Sequence, residues 1–228
     1  MEHLLQNIEK ANHIEIVTSK EFICGADALY TYILTRHKKV SFVCKEELGY
    51  RYSFLPWFDK IKQTDTPSAD FRIDFCFFSL ELFLFFDTIG VSINKKMAIS
   101  LCAGLIDETD GFSNERVSGI VFASVEKLIN YGAEYQKAYD FLMRYHSLAF
   151  LRLKSILLQN MILQKEATVA KFILLKTDLE RSGATSEDAK EIIKEAFTLP
   201  YVKTIVLVDE DNNQIKKIEK GIEIEKKK

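Results

Sequence analysis

The apolar and polar positions divide the chain into short segments whose period switches between about 2 and about 3.6 residues, the change that separates strands from helices. A helix over Glu2–Ala11 gives way to HIEIVTS, whose apolar, β-branched run predicts a buried strand. GADALYTYILTRH predicts a helix, KVSFVCK a second strand and FRIDFCFFS a third. Between the second and third strands, Glu46–Pro67 mixes aromatics with Pro56 and a polar end, TDTPSAD, and reads as helix or loop followed by a turn. Strand, helix, strand, helix, strand is the signature of a parallel α/β sheet covered on its faces.

From Leu80 the helical period takes over: LELFLFFDTIG, INKKMAISLCAGLIDETDG and NERVSGIVFASVEKLINYG, the last ending on Gly132 as a C-terminal glycine should. AEYQKAYDFLMRYHSLAFLRLKSILLQNMIL continues as two helices or one bent one. ATVAKFILLKT then predicts a strand, and a polar turn at Arg181–Gly183 precedes a helix opened by Thr185, Ser186, Glu187 and Asp188, a hydroxyl cap with acids in the first turn. YVKTIVLVD predicts another strand, NNQIKKIEKGIEIE an edge strand, and EKKK a solvated end. The expected organisation is an α/β domain over residues 1–132, a helical linker over 133–163 and a small α/β C-terminal domain over 164–228.

Composition narrows the class. With 47% hydrophobic and 28% charged residues, the chain sits at the globular average. Its 31 Lys plus Arg against 33 Asp plus Glu argue against a surface built to attract nucleic acid. The local basic runs Arg36-His37-Lys38-Lys39 and Lys216-Lys217 lie at a helix end and among glutamates, where cations are ordinary. Four dispersed cysteines without a Cys-x-x-Cys pair write neither a zinc cluster nor a redox dithiol and suit a reducing compartment. The N-terminus lacks the basic head and apolar run of a secretory signal, and the longest apolar block, Phe75–Phe86, is broken by Ser79 and Glu81 and falls short of the roughly 20 residues a membrane helix needs. A cytoplasmic protein is expected.

The chemical inventory is thin. His3, His13, His37 and His146 are scattered, and no dinucleotide fingerprint, phosphate loop or nucleophile elbow occurs. Only nine glycines and three prolines are present, where average usage gives roughly 16 and 11. The densest carboxylate group is Asp107-Glu108-Thr109-Asp110-Gly111. It reads either as a helix end and turn or as metal-binding carboxylates at the mouth of a sheet.

The run from Ala98 to Asn160 resembles DHH-family phosphoesterases, the group of nano-RNases, pAp phosphatases and RecJ-like exonucleases. The resemblance rests on Ala103-Gly104-Leu105, on Glu108-Thr109-Asp110-Gly111-Phe112 at the place of the family's Asp-Thr-Gly-x-Phe, and on Gly132-Ala133. GADALYTYI is similar to the end of the family's His-x-Asn-Pro-Asp-x-Asp-Ala motif, and ATVAKFILLKT onward to the start of the DHH-associated C-terminal domain. It implies a two-domain hydrolase-like fold, a pair of Mn²⁺ ions and cleavage of phosphate esters, with Asp27 and Glu108 facing one cleft. The departures imply more. Glu21 and Gly25 replace a His and an Asp, Ser79 replaces the Asp after the third strand unless Asp74 takes that place, and Glu108 replaces a bridging Asp. The Asp-His-His segment and the C-terminal Gly-Gly-Gly-His are missing.

Two ions within roughly 4 Å of each other need several anionic ligands to offset their repulsion. The expected protein is therefore a pseudoenzyme without metal, with Asp27 and Glu108 as vestigial ligand positions. The alternative is an active metal-dependent phosphoesterase on small nucleotides or short oligonucleotides, with Asp27, Asp74, Asp107 and Glu108 remodelled around Mn²⁺. A further expectation is a homodimer or protein partner bound through Phe83, Phe85 and Phe86, whose cover the missing segment would have supplied; the competing reading makes them core.

Overall fold

The computed structural model describes residues 2–220, with side chains from residue 4 onward. The charged tail at 225–228, the last residues of the expected edge strand and the side chain of His3 lie outside the described residues. The chain divides into two compact units, residues 1–145 and 146–228.

In the first unit, α1 (Glu2–Lys10) leads into β1 (His13–Thr18), α2 (Ile23–Thr35), β2 (Lys39–Cys44), a two-residue β3 (Ile61–Lys62) and β4 (Phe71–Phe75). All pair in parallel in the order β3-β2-β1-β4. Ile14 and Ile16 of the central strand are fully buried, as a parallel strand covered on both faces requires. α2 is buried from Ile23 to Ile33. It packs against α4 (Lys95–Glu108), which Asn94 caps by accepting the Met97 N–H at 3.0 Å. α3 (Ser79–Thr88), α5 (Gly119–Asn130) and α6 (Tyr135–Tyr139) complete this unit, and a π-helical turn, Asp140–Arg144, follows α6.

The Phe-rich block has two fates. The strand stops at Phe75, not at Ser79, and the helix starts at Ser79, where Glu81 reaches back to accept the Phe78 N–H at 3.2 Å. Phe83 and Phe86 face inward at 1% and 0% exposure, and Phe85 is half-buried against Phe86. The expected interface through Phe83, Phe85 and Phe86 is thereby corrected: two of its three rings are core, because α3 lays its apolar side on α4 and carries Leu84 and Asp87 outward.

In the second unit, α7 (Leu148–Gln159), α8 (Lys176–Ser182) and α9 (Ser186–Ile192) accompany a sheet ordered β5-β6-β7-β8. Its strands are Ile162–Gln164, Val169–Ile173, Thr204–Val208 and Gln214–Glu219, parallel only between β6 and β7. Strand β6 ends earlier than the sequence pattern suggests. Asp178 accepts the Leu175 N–H at 3.4 Å to start α8, and Gly183, at φ +73°, stops it. The stretch 133–163 is shared between the two cores: Ala138 and Leu142 join the first, and Phe150, Leu153 and Leu157 the second. No helix among the described residues is long and apolar enough to cross a membrane.

Truncating a fully buried Phe removes its transfer energy and leaves a cavity, so Phe83→Ala and Phe86→Ala should each lower stability by about 3–5 kcal/mol. Leu84→Asp, on the outer side of α3, should cost under about 1 kcal/mol. Denaturant midpoints measure both, and equal costs for inner and outer positions would contradict this orientation of α3.

Candidate functional site

The carboxyl ends of parallel strands are where α/β folds place their ligands. Here the chain leaving β1 turns through Ser19–Phe22 into α2, the chain leaving β2 forms the aromatic segment Gly49–Lys60, and the chain leaving β4 enters α3 after three residues. The end of α4 reaches the same region, since Glu108 Oε1 accepts the Ser79 N–H at 2.8 Å and Asp107 bonds to Arg51 and Tyr52.

Asp27 lies one turn into α2 and is fully buried. Its Oδ2 is 2.6 Å from the Ser100 hydroxyl, and its Oδ1 accepts the Trp57 N–H at 3.2 Å. Trp57 also donates its indole N–H to Thr31 Oγ1 at 2.8 Å, and Thr31 in turn donates to the Asp27 carbonyl at 3.1 Å. Lys96 places its ammonium 3.8 Å from the Trp57 ring centre. Burial drives the Asp27 pKa up to about 7, against the opposing pull of Ser100, the Trp57 N–H and Lys96.

Asp107 is held from two sides. Arg51 Nη2 donates to Oδ1 at 2.6 Å, and the Tyr52 hydroxyl donates to Oδ2 at 2.8 Å. Both partners come from one short helical turn, Tyr50–Tyr52, so consecutive residues deliver a cation and a hydroxyl to the same carboxylate. Desolvation and the Asp107 charge together push the Tyr52 phenol well above its ordinary range, keeping it a donor. Burial raises Glu108 to about 7; the Ser79 N–H and hydroxyl and the charge of Arg116 oppose the rise, and Asp107 adds to it. That Ser79 hydroxyl is buried without a partner in full hydrogen-bonding geometry. It presses on Gly104, where an added Cβ would stand 1.8 Å from Ser79 Oγ and 3.2 Å from Cys24 Cβ. A residue without a side chain is the condition for α2, α3 and α4 to approach at this point.

Cys24 packs at the same point, its Cβ 3.2 Å from where an added Gly104 Cβ would stand. Its thiol is raised first by burial and then by the fields of Asp107, Glu108 and Asp27, with Arg51 acting in the opposite sense. The structure thus brings three of the four sequence-selected carboxylates within electrostatic reach of one sulfur. Asp74 is elsewhere: it is on edge strand β4, 76% exposed in its side chain and paired with Arg72 Nε at 2.9 Å. Sequence reasoning missed Arg51, Tyr52, Ser100 and Trp57. Nothing local marks them, because each acquires its role from a carboxylate 30 to 73 positions away.

The donor set does not fit a pair of metal ions. Asp27 is sealed beneath the surface and bonded by protein donors, both Asp107 oxygens are taken, and among the described residues no three His, Cys, Asp or Glu side chains converge where they could hold an ion. His13, which is buried, bonds instead to Ser41 Oγ at 2.8 Å and to the Ser68 carbonyl at 3.1 Å at the opposite end of the strands.

Among solved structures, an exopolyphosphatase-related protein from Bacteroides fragilis matches with a TM-score of 0.81, covering 92% of this chain and 79% of that one at 17% identity. The two proteins share a fold. A putative family II inorganic pyrophosphatase from Methanococcus jannaschii matches with a TM-score of 0.44 over 86% of this chain and 83% of that one, at 11% identity. No protein-family model and no curated protein sequence matches the chain. The α/β class read from the sequence agrees with the first of these likenesses.

A carboxyl group whose pKa is raised on folding binds its proton more tightly in the folded state, so its contribution is greatest below the unfolded pKa near 4 and is lost as pH climbs toward about 7. Asn reproduces the neutral acid. Asp27→Asn should therefore gain stability relative to wild type between pH 5 and pH 8, as read from urea midpoints, whereas a difference independent of pH would show that Asp27 keeps an ordinary pKa. Gly104→Ala should cost about 1–3 kcal/mol by overpacking against Ser79.

Proposed function

We propose that this protein is a catalytically silent relative of the DHH-family phosphoesterases, which keeps the α/β fold as a binding scaffold and has turned the old ligand positions into structural bonds. The observation that carries this reading is the double engagement of Asp107 by Arg51 and Tyr52. A carboxylate beside the motif position of Glu108 is neutralised by the chain itself, with the guanidinium and phenol placed by consecutive residues. Asp27 supports the reading from the other side, since a fully buried acid bonded to Ser100 and Trp57 holds helices together without facing solvent. The fold shared with an exopolyphosphatase-related protein supplies the context and nothing about turnover.

Purified protein incubated with Mn²⁺ and pAp, short oligoribonucleotides or polyphosphate should release no product above the background of an Asp27→Asn/Glu108→Gln double variant. Product release by wild type that this double variant abolishes would overturn the proposal and favour an active, remodelled phosphoesterase.

A further inference from the structure

Strand β4 ends the first sheet on one side, and its order of residue types is nearly the same read from either end: Phe71-Arg72-Ile73-Asp74-Phe75. We propose that this edge pairs with the same edge of a second copy of the chain, as an antiparallel, two-fold symmetric ladder of β4 on β4. The interface stands whether or not the protein hydrolyses phosphate esters.

The order β3-β2-β1-β4 leaves β4 with one strand neighbour, β1, among the described residues. Alternate residues of a parallel strand turn their N–H and C=O to opposite sides. Phe75 turns toward β1, where its carbonyl accepts the Thr18 hydroxyl at 3.1 Å. Phe71 and Ile73 alternate in phase with it, so Arg72 and Asp74 direct their main-chain groups to the open side, where no loop or helix among the described residues bonds to them. Such an unpaired row is a template for another strand.

The side chains select the occupant. In an antiparallel copy centred on Ile73, Arg72 faces Asp74 of the second copy, Ile73 faces Ile73 and Phe71 faces Phe75. The residues this register joins by main-chain bonds are Arg72 and Asp74, whose groups are the open ones. Their side chains stand on the solvent face, 44% and 76% exposed, and within one copy answer each other at 2.9 Å, so they can exchange partners across the axis. Other registers are penalised. A slip of two residues sets Arg72 or Asp74 against its own copy, a slip of one turns the core face of the second sheet to solvent, and parallel pairing aligns like charges. What remains is a closed, isologous dimer. Main-chain bonds supply most of its affinity and the charges fix its register, and so short an edge associates in the micromolar range.

Sedimentation velocity on the full chain should show a concentration-dependent monomer–dimer equilibrium. Asp74→Arg, at an exposed position, sets cations against each other and should raise the dissociation constant about tenfold or more. Exchanging the pair, Arg72→Asp with Asp74→Arg, restores opposite charges in the same register and should return the constant to within about threefold of wild type. Asp74→Pro removes an N–H that only the second copy uses and should give a folded monomer. Arg72 also lies 3.7 Å from Glu15 and from Asp65, so if the exchanged chain unfolds by circular dichroism, Asp74→Pro decides by itself.

Three results would overturn the proposal: a wild type that stays monomeric up to about 0.2 mM, a dimer that both Asp74→Arg and Asp74→Pro leave intact, or a folded exchanged variant that dimerises no better than Asp74→Arg. None of these measurements reads turnover, so the interface and the silent-scaffold reading fail separately.

Discussion

A carboxylic acid sealed inside a protein is tolerated only if its neighbours are fixed around it, and the first unit of this structure is organised by that requirement at Asp27. Its two oxygens and its backbone carbonyl reach three other residues: Ser100 on α4, Trp57 through its backbone N–H, and Thr31, which also accepts the Trp57 indole. α2, α4 and the segment after β2 are thereby tied by polar bonds that have one geometry, in a core whose apolar contacts alone would accept several. The close approach at Gly104, the placement of the turn Tyr50–Tyr52 and hence the engagement of Asp107 all follow from where this bond network puts the two helices and the loop.

Much of the scaffold could be read from the sequence because it is written locally. β1, α2 and β2 emerge from HIEIVTS, GADALYTYILTRH and KVSFVCK with boundaries off by a residue or two, since strong periodicity in a buried parallel unit leaves little choice. The failures are equally physical. α8 is seven residues long, too short for a period to show, and its start depends on Asp178 turning back to Leu175. The Phe-rich block defeats pattern reading because six aromatics in twelve residues erase the contrast between faces. Only the packing of α3 on α4 and its neighbours, with Phe86 against Tyr32 of α2, decides which rings of that helix go inside.

The site was half legible for a related reason. Carboxylates such as Asp27, Asp107 and Glu108 stand out in a chain with little other chemistry, and the structure gathers them near Cys24. Their partners were invisible, because a Ser, an Arg, a Tyr and a Trp backbone amide are ordinary residues until tertiary structure brings them within 3.2 Å. Identity of residue type carried the acids; topology alone carried what answers them. Asp74 shows the converse error, an acid at a plausible position whose strand edge turns it to solvent.

The environment of Cys24 has a consequence for thiol chemistry. Thiolates react and thiols do not, and three surrounding carboxylates with complete burial hold Cys24 in the unreactive form. Burial likewise raises Cys44 and Cys102. Cys76, just past the end of β4, is the exposed one of the four. An alkylating dye or spin label added to the native protein therefore meets a single accessible sulfur, three residues from Ser79 and the helix start that Glu108 caps, and reports on that corner of the fold without any engineered cysteine.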